Sequence, residues 1–207
     1  MLLLSSFSCG SLGWGCARRY FATAMKRMYL LGLMLALAAC KKDDPAAGLP
    51  PATQEGKNTG GCLVNGERFV ATGWGSSLLS SPIPPLSGGF SFDSVYRVEL
   101  NGQYKGQNAT VMLFLRNDRL DTYQLNQNTQ YYPQGGYRNV LHHATFNVAS
   151  SGGEVYGTSA QHTGRVVLTR VDLRSGIGSG TFEFTAASTF DHTKTVTVTS
   201  GRFDRKQ

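Results

Sequence analysis

Charge is scarce in this chain: Asp, Glu, Lys and Arg make up 16% of its 207 residues, and there are only 7 prolines and 4 cysteines. Four cysteines are too few for a disulfide scaffold, and so little charge beside 25 glycines excludes a coiled coil or long solvent-facing helices. The 41% hydrophobic content in turn excludes wholesale disorder. Signatures of catalysis are missing as well. The sequence contains no Gly-x-Ser-x-Gly elbow, no His-Glu-x-x-His pair, no phosphate-cradling glycine loop and no Cys-x-x-Cys. What is in excess is base: 20 Lys and Arg against 13 Asp and Glu give a formal charge of +7. That balance suggests a polyanion partner only if the charge belongs to the folded domain.

Four of the basic residues, Arg18, Arg19, Lys26 and Arg27, fall in the first 39 residues, which hold no acid. Met25-Lys26-Arg27 and the uncharged run from Met28 to Ala39 form the basic and apolar regions of a signal peptide. About a dozen apolar residues are too few to cross a hydrocarbon core of ~30 Å as a helix, so the run predicts export and not a permanent span. Its end, Leu37-Ala38-Ala39-Cys40, resembles the lipobox of bacterial lipoproteins. The resemblance implies cleavage before Cys40 and acylation of its thiol. At about 0.8 kcal/mol per buried CH₂, two or three acyl chains hold a protein on a membrane. Residues 1–39 are therefore expected to be presequence, and residues 1–24 to precede the true start, because Met25 opens a complete signal peptide. Residues 40–207 carry 16 basic and 13 acidic residues, with no Lys/Arg cluster interleaved with aromatics, so nucleic acid is not an expected partner.

Residues 40–59 begin Cys40-Lys41-Lys42-Asp43-Asp44-Pro45 and continue in Ala, Gly, Pro, Thr and Asn, a composition that buries nothing and predicts a flexible tether with a span of roughly 25 Å. Lys41 stands where an aspartate would retain an enteric lipoprotein at the inner membrane, which favours the outer membrane. The basic-then-acidic run also resembles the surface-export tag of Bacteroidota lipoproteins, with a merely soluble linker as the alternative. With Cys9 and Cys16 in the presequence and Cys40 lipidated, only Cys62 remains in the domain, so no disulfide forms within it. Cys62 shares strand parity with Val64 and is expected as a small buried hydrophobe in place of a nucleophile.

From residue 60 to 207 the pattern is short strands between turns. Asn65-Gly66 flanked by apolar residues is a hairpin signal. Val95 to Leu100 alternates and is expected to end at Asn101-Gly102. Ala109 to Leu115 is nearly continuous apolar, Thr145 to Val148 and Arg165 to Val171 are further strands, and Thr181–Thr185 and Thr195–Thr199 alternate. Val196 and Val198 differ in parity from Phe203, and a bulge at Gly201 would bring Phe203 into the core. About eight strands without a 3.6-residue period predict an all-β domain, an antiparallel β-sandwich or barrel.

These segments carry a family resemblance. Gly61–Gly66, Thr163–Thr169, Ser179–Phe184 and Val196–Asp204 look like a domain-of-unknown-function family of Bacteroidota lipoproteins, over about residues 58–206. The resemblance implies a secreted, lipid-anchored β-domain and brings no assigned activity or functional residue.

Candidate sites are few. Tyr131, Tyr132, Tyr137 and Arg138 lie in a stretch, 120–140, rich in Tyr, Asn and Gln; flat rings beside amides suit a sugar or peptide surface, the alternative being a connection pinned by its tyrosines. Trp74 and the Pro82–Leu86 loop are either a recognition loop or an apolar cover. Asp93-Ser94-Val95 resembles the site at which Bacteroidota O-glycosylate exported proteins, making Ser94 the candidate acceptor. His142-His143 is the nearest approach to a metal site, but neighbours on a strand face opposite ways, so solvated turn histidines are expected, with no metal or cofactor. Asp121, Asp172 and Asp204 are expected at strand ends or turns, capping backbone amides. The expected function is a lipid-anchored envelope protein that binds a glycan or protein ligand, or serves structurally. The rival is a small envelope hydrolase acting on glycan or peptide, with a site in the 120–143 region that would gather two or more of His142, His143, Asp121 and Asp172.

Overall fold

The computed structural model describes residues 46–75, 81–91, 94–128, 141–149 and 153–207. These residues form eleven strands: β1 (Thr59–Val64), β2 (Glu67–Val70), β3 (Leu86–Ser91), β4 (Val95–Tyr104), β5 (Gln107–Leu115), β6 (Thr122–Gln124), β7 (His143–Val148), β8 (Glu154–Gly157), β9 (Gly164–Asp172), β10 (Ile177–Ser188) and β11 (Thr195–Lys206). Every pairing is antiparallel, and the strand order is β2-β1-β11-β10-β8-β7-β5-β4-β3. One edge of β10 is shared, by β9 from Ile177 to Phe184 and by β8 at Ala187 and Ser188, while β6 adds to β9. The all-β antiparallel class is the one the alternation predicts, with β3, β6 and β8 beyond the expected eight. β6 and β8 have three and four residues, too short for a period, and β3 carries Gly88 and Gly89 in place of an apolar alternation.

The sheet curls until its ends meet. Ala71, just past β2, bridges Gly102 of β4, and the Gly73 N–H donates to the Asn101 carbonyl at 2.8 Å. This contact explains why Asn101-Gly102 is not the predicted turn. A Cβ on Gly102 would overlap the Val70 carbonyl oxygen, so the glycine serves close approach. The strand runs on to Tyr104 and turns at Lys105-Gly106, with φ of 50° and 75°, as Asn65-Gly66 turns β1 into β2 with 50° and 79°. Buried Asn101 donates through Nδ2 to the Pro84 carbonyl (3.0 Å) and through its N–H to that of Pro85 (2.8 Å), holding the proline-rich loop on the sheet.

Inward side chains from β1, β4, β5, β7, β9, β10 and β11 form one buried cluster, including Tyr96, Leu100, Leu113, Phe146, Phe182, Phe184 and Phe203. Each fully buried aliphatic or Phe side chain contributes about 1.5–3 kcal/mol. Cys62 is completely buried in this cluster, which pushes its thiol pKa far up and leaves it unreactive, as its parity predicts. Phe203 is buried as expected. The register shift that brings it in sits at Thr199-Ser200, which together oppose Glu183, with Ser200 at φ 52°. Gly201 makes room for a ring instead, since a Cβ there would lie 2.5 Å from Phe182.

Asp204 caps backbone amides as expected, but those of a segment distant in sequence and not of a turn beside it. It lies inside β11, 1% exposed, and its carboxylate accepts from the Thr53 hydroxyl (2.6 Å), the backbone N–H groups of Glu55, Gly56 and Lys57 (3.0, 2.8 and 3.1 Å) and the Ser179 hydroxyl (2.7 Å). Residues 53–57, which composition assigns to the tether, are thereby part of the folded domain.

Candidate binding site

The β1–β2 and β4–β5 turns and the adjoining ends of β7 and β8 lie at one end of the curled sheet, where the core opens into a cavity of about 270 Å³. Tyr104, Phe146, Val148, Tyr156 and Val196 wall it, and Asn65, Lys105, Gln107 and Glu154 form its rim. The rings are set at angles: Phe146 lies 5.4 Å from Tyr104, nearly perpendicular, and 6.2 Å from Tyr156. The Lys105 Nζ sits 5.3 Å over the Tyr104 ring and 3.2 Å from Glu67, while Lys194 lies 3.3 Å from Glu154. Such exposed pairs contribute about 0–1 kcal/mol, so a ligand displaces them at small cost. Burial, helped by the Glu154 carboxylate, pushes the Tyr156 phenol up to about 12, so it remains an O–H donor at neutral pH.

The arrangement offers ring faces, phenol hydroxyls and amides, the combination that attracts attention to residues 120–140 in the sequence, but at different tyrosines. Tyr104 is obscured in the sequence because the strand before it reads as ending at Asn101, and Tyr156 because β8 is too short to show alternation. Phe146 and Val148 share parity within β7, and that pairing is the signal through which the wall could be found.

Tyr131, Tyr132, Tyr137, Arg138 and Cys40 lie outside the described residues. Trp74 is half-buried and exchanges two backbone hydrogen bonds with Ile83 (3.1 and 2.8 Å), which ties the β2–β3 connection together away from the mouth. Ser94 is exposed in the turn before β4, at φ 54°; its neighbour Asp93 lies outside the described residues.

The candidate hydrolytic groups each serve local structure. The His142 Nδ1 accepts the Arg116 N–H at 3.0 Å, and burial together with the Arg116 charge lowers its pKa. Asp121 accepts the Thr122 N–H, and Asp172 accepts the Arg174 and Ser175 N–H groups and pairs with Arg170. His143, expected in a solvated turn, is instead 3% exposed on β7 and stacks on Phe114 with ring centroids 5.1 Å apart. Burial lowers its pKa, so it is neutral at pH 7. Among the described residues no group of three or more His, Cys, Asp or Glu is placed to hold a metal ion.

Residues 86–205 match a family described as a domain of unknown function, DUF6252. The chain belongs to the DUF6252 family. The matched region starts at the first residue of β3 and ends within β11, so it holds most of the mouth and Asp204 but neither the β1–β2 hairpin nor the 53–57 segment that Asp204 binds. No curated protein and no solved structure matches the chain.

Proposed function

We propose that this DUF6252 protein is a lipid-anchored component of the cell envelope whose β-domain binds a glycan or protein ligand without transforming it. The anchor follows from the basic and apolar signal regions ending in Leu37-Ala38-Ala39-Cys40, and Lys41 directs it to the outer membrane. In the same reading the chain is of Bacteroidota type, with Lys41–Asp44 as a surface tag. The observation that carries the binding role is the mouth, where two tyrosines and a phenylalanine wall an open cavity whose rim charges are paired with neighbouring side chains. The rival hydrolase reading requires His142, His143, Asp121 or Asp172 to act together, and their local hydrogen bonds do not favour it.

The test is recovery of what cross-links to the protein in intact envelopes, comparing the native chain with Tyr104→Ala and Tyr156→Ala. The reading expects a glycan or protein captured by the native chain and lost from both variants. Capture that is indifferent to both substitutions refutes the mouth as the binding site.

A further inference from the structure

β7 has two working faces. Phe146 and Val148 point into the barrel, so His143 and Thr145, one residue out of step, point away from it. An outward position on a curled sheet is ordinarily wet, yet His143 is 3% exposed and Thr145 fully buried. They form the floor of a cavity of about 300 Å³, at the lower end of the range of small-molecule sites. Thr158 and His162 from the connection after β8, Ser188 at the end of β10 and Asn128 help to wall it.

Among the described residues the Thr145 hydroxyl has no hydrogen-bond partner. A buried hydroxyl in that condition is rare and costly, and a ligand that supplies the missing partner is favoured by the amount the unmade bond costs. The other polar groups around it hold unused capacity of both kinds. The His143 Nδ1 lies 2.8 Å from the Leu141 carbonyl, which can only accept, so Nδ1 carries the proton and Nε2 keeps its lone pair. The Thr158 hydroxyl accepts from the Ala144 N–H (3.0 Å), and the Ser188 hydroxyl from the Phe190 and Asp191 N–H groups, so each retains a proton to donate. The described residues that line the cavity include three histidines, His143, His162 and His192, and no Asp, Glu, Lys or Arg, so none of them brings a permanent charge.

We infer that this outer-face cavity is a second binding site, independent of the mouth, and that it takes one ring of a neutral saccharide. Mixed donors and acceptors without a permanent charge match a polyhydroxyl ring, whose every hydroxyl both donates and accepts.

The probes are the methyl glycosides of glucose, galactose, mannose and N-acetylglucosamine, titrated calorimetrically into the full chain in a sugar-free detergent. At least one is expected to bind in the millimolar range or tighter. Thr145→Val should weaken it about tenfold or more with no fall in Tm, because valine replaces an unpartnered hydroxyl by a methyl group of the same shape. Gln161→Ala, at the exposed edge of the cavity, should weaken it several-fold and perturbs no core packing. Absence of binding by all four glycosides overturns the inference, as does equal affinity in Thr145→Val. Binding of sulfate or phosphate in their place overturns it too, and so does a crystal soaked with the glycosides that shows only water at Thr145. Loss of the titration in Tyr104→Ala would place the sugar at the mouth, overturning this site while supporting the other.

Discussion

Replacing Asp204 by Asn keeps the shape of the side chain and removes its charge, and the structure sets the cost. Oδ2 accepts from the Thr53 hydroxyl and two backbone N–H groups, of Glu55 and Lys57; Oδ1 accepts from the Gly56 N–H and the Ser179 hydroxyl. An amide must place its NH₂ on one side. The less damaging choice is the Oδ1 side, where Ser179 can rotate to accept but the Gly56 N–H meets another donor. One orphaned buried N–H costs about 1–3 kcal/mol, and weakening the three charge-assisted bonds on Oδ2 to neutral ones costs about 1 kcal/mol each, so Asp204→Asn should lose about 4–6 kcal/mol at neutral pH. The pH dependence supplies an independent check. Burial raises the Asp204 pKa, but the bonds from Thr53, Ser179, Lys57 and Gly56 outweigh it and hold the carboxyl at about 2. A folded pKa below the unfolded value of 3.8 means that this stabilisation is complete above about pH 4 and is lost as the pH falls through 2. The difference of almost two pKa units corresponds to roughly 2 kcal/mol. Urea denaturation followed by circular dichroism should therefore show the gap between the native chain and Asp204→Asn narrowing by about 1.5 kcal/mol from pH ~6 to pH ~2.5. A cost below about 1 kcal/mol at neutral pH, or a gap that stays constant on acidification, would refute the assignment of the 53–57 segment to this carboxylate.

Other consequences can be checked with simpler measurements. Cys40→Ala should leave the membrane fraction and lose acyl labelling, and unchanged partitioning would refute the lipid anchor. Gly102→Ala pushes a methyl group toward the Val70 carbonyl oxygen and should cost at least about 2 kcal/mol in denaturation, because the ends of the sheet must part to admit it. Phe203→Ala should cost about 3–5 kcal/mol by the same assay, since the ring is 2% exposed and touches both Tyr96 and Phe182. Cys62 should react with thiol reagents only in denaturant; rapid labelling of the folded chain would contradict its burial in the core.

Local chemistry decides the parts of this protein that its sequence alone determines. The all-β class follows from alternation, because side chains two residues apart share a face and a mostly apolar face demands burial. The first hairpin follows from Asn65-Gly66, two residues that tolerate positive φ, and the burial of Cys62 and Phe203 follows from parity together with one bulge. The proposed signal and lipobox likewise rest on local order: base, then apolar run, then Leu-Ala-Ala-Cys.

Tertiary structure decides what depends on which distant segments meet. Gly102 looks like a turn residue until Val70 is seen against it, and Asp204 looks like a strand-end cap until residues 53–57 wrap across it. Lys105-Gly106 in place of Asn101-Gly102 as the turn moves Tyr104 to the mouth, where β7 and β8 bring Phe146 and Tyr156 beside it. His143 becomes a buried, neutral group because residues far along the chain, from Thr158 to His192, wall the outer face of its strand. Strand pairing across dozens of residues leaves no periodic trace in a single sequence, so the fold class can be read from the chain but the composition of its cavities cannot.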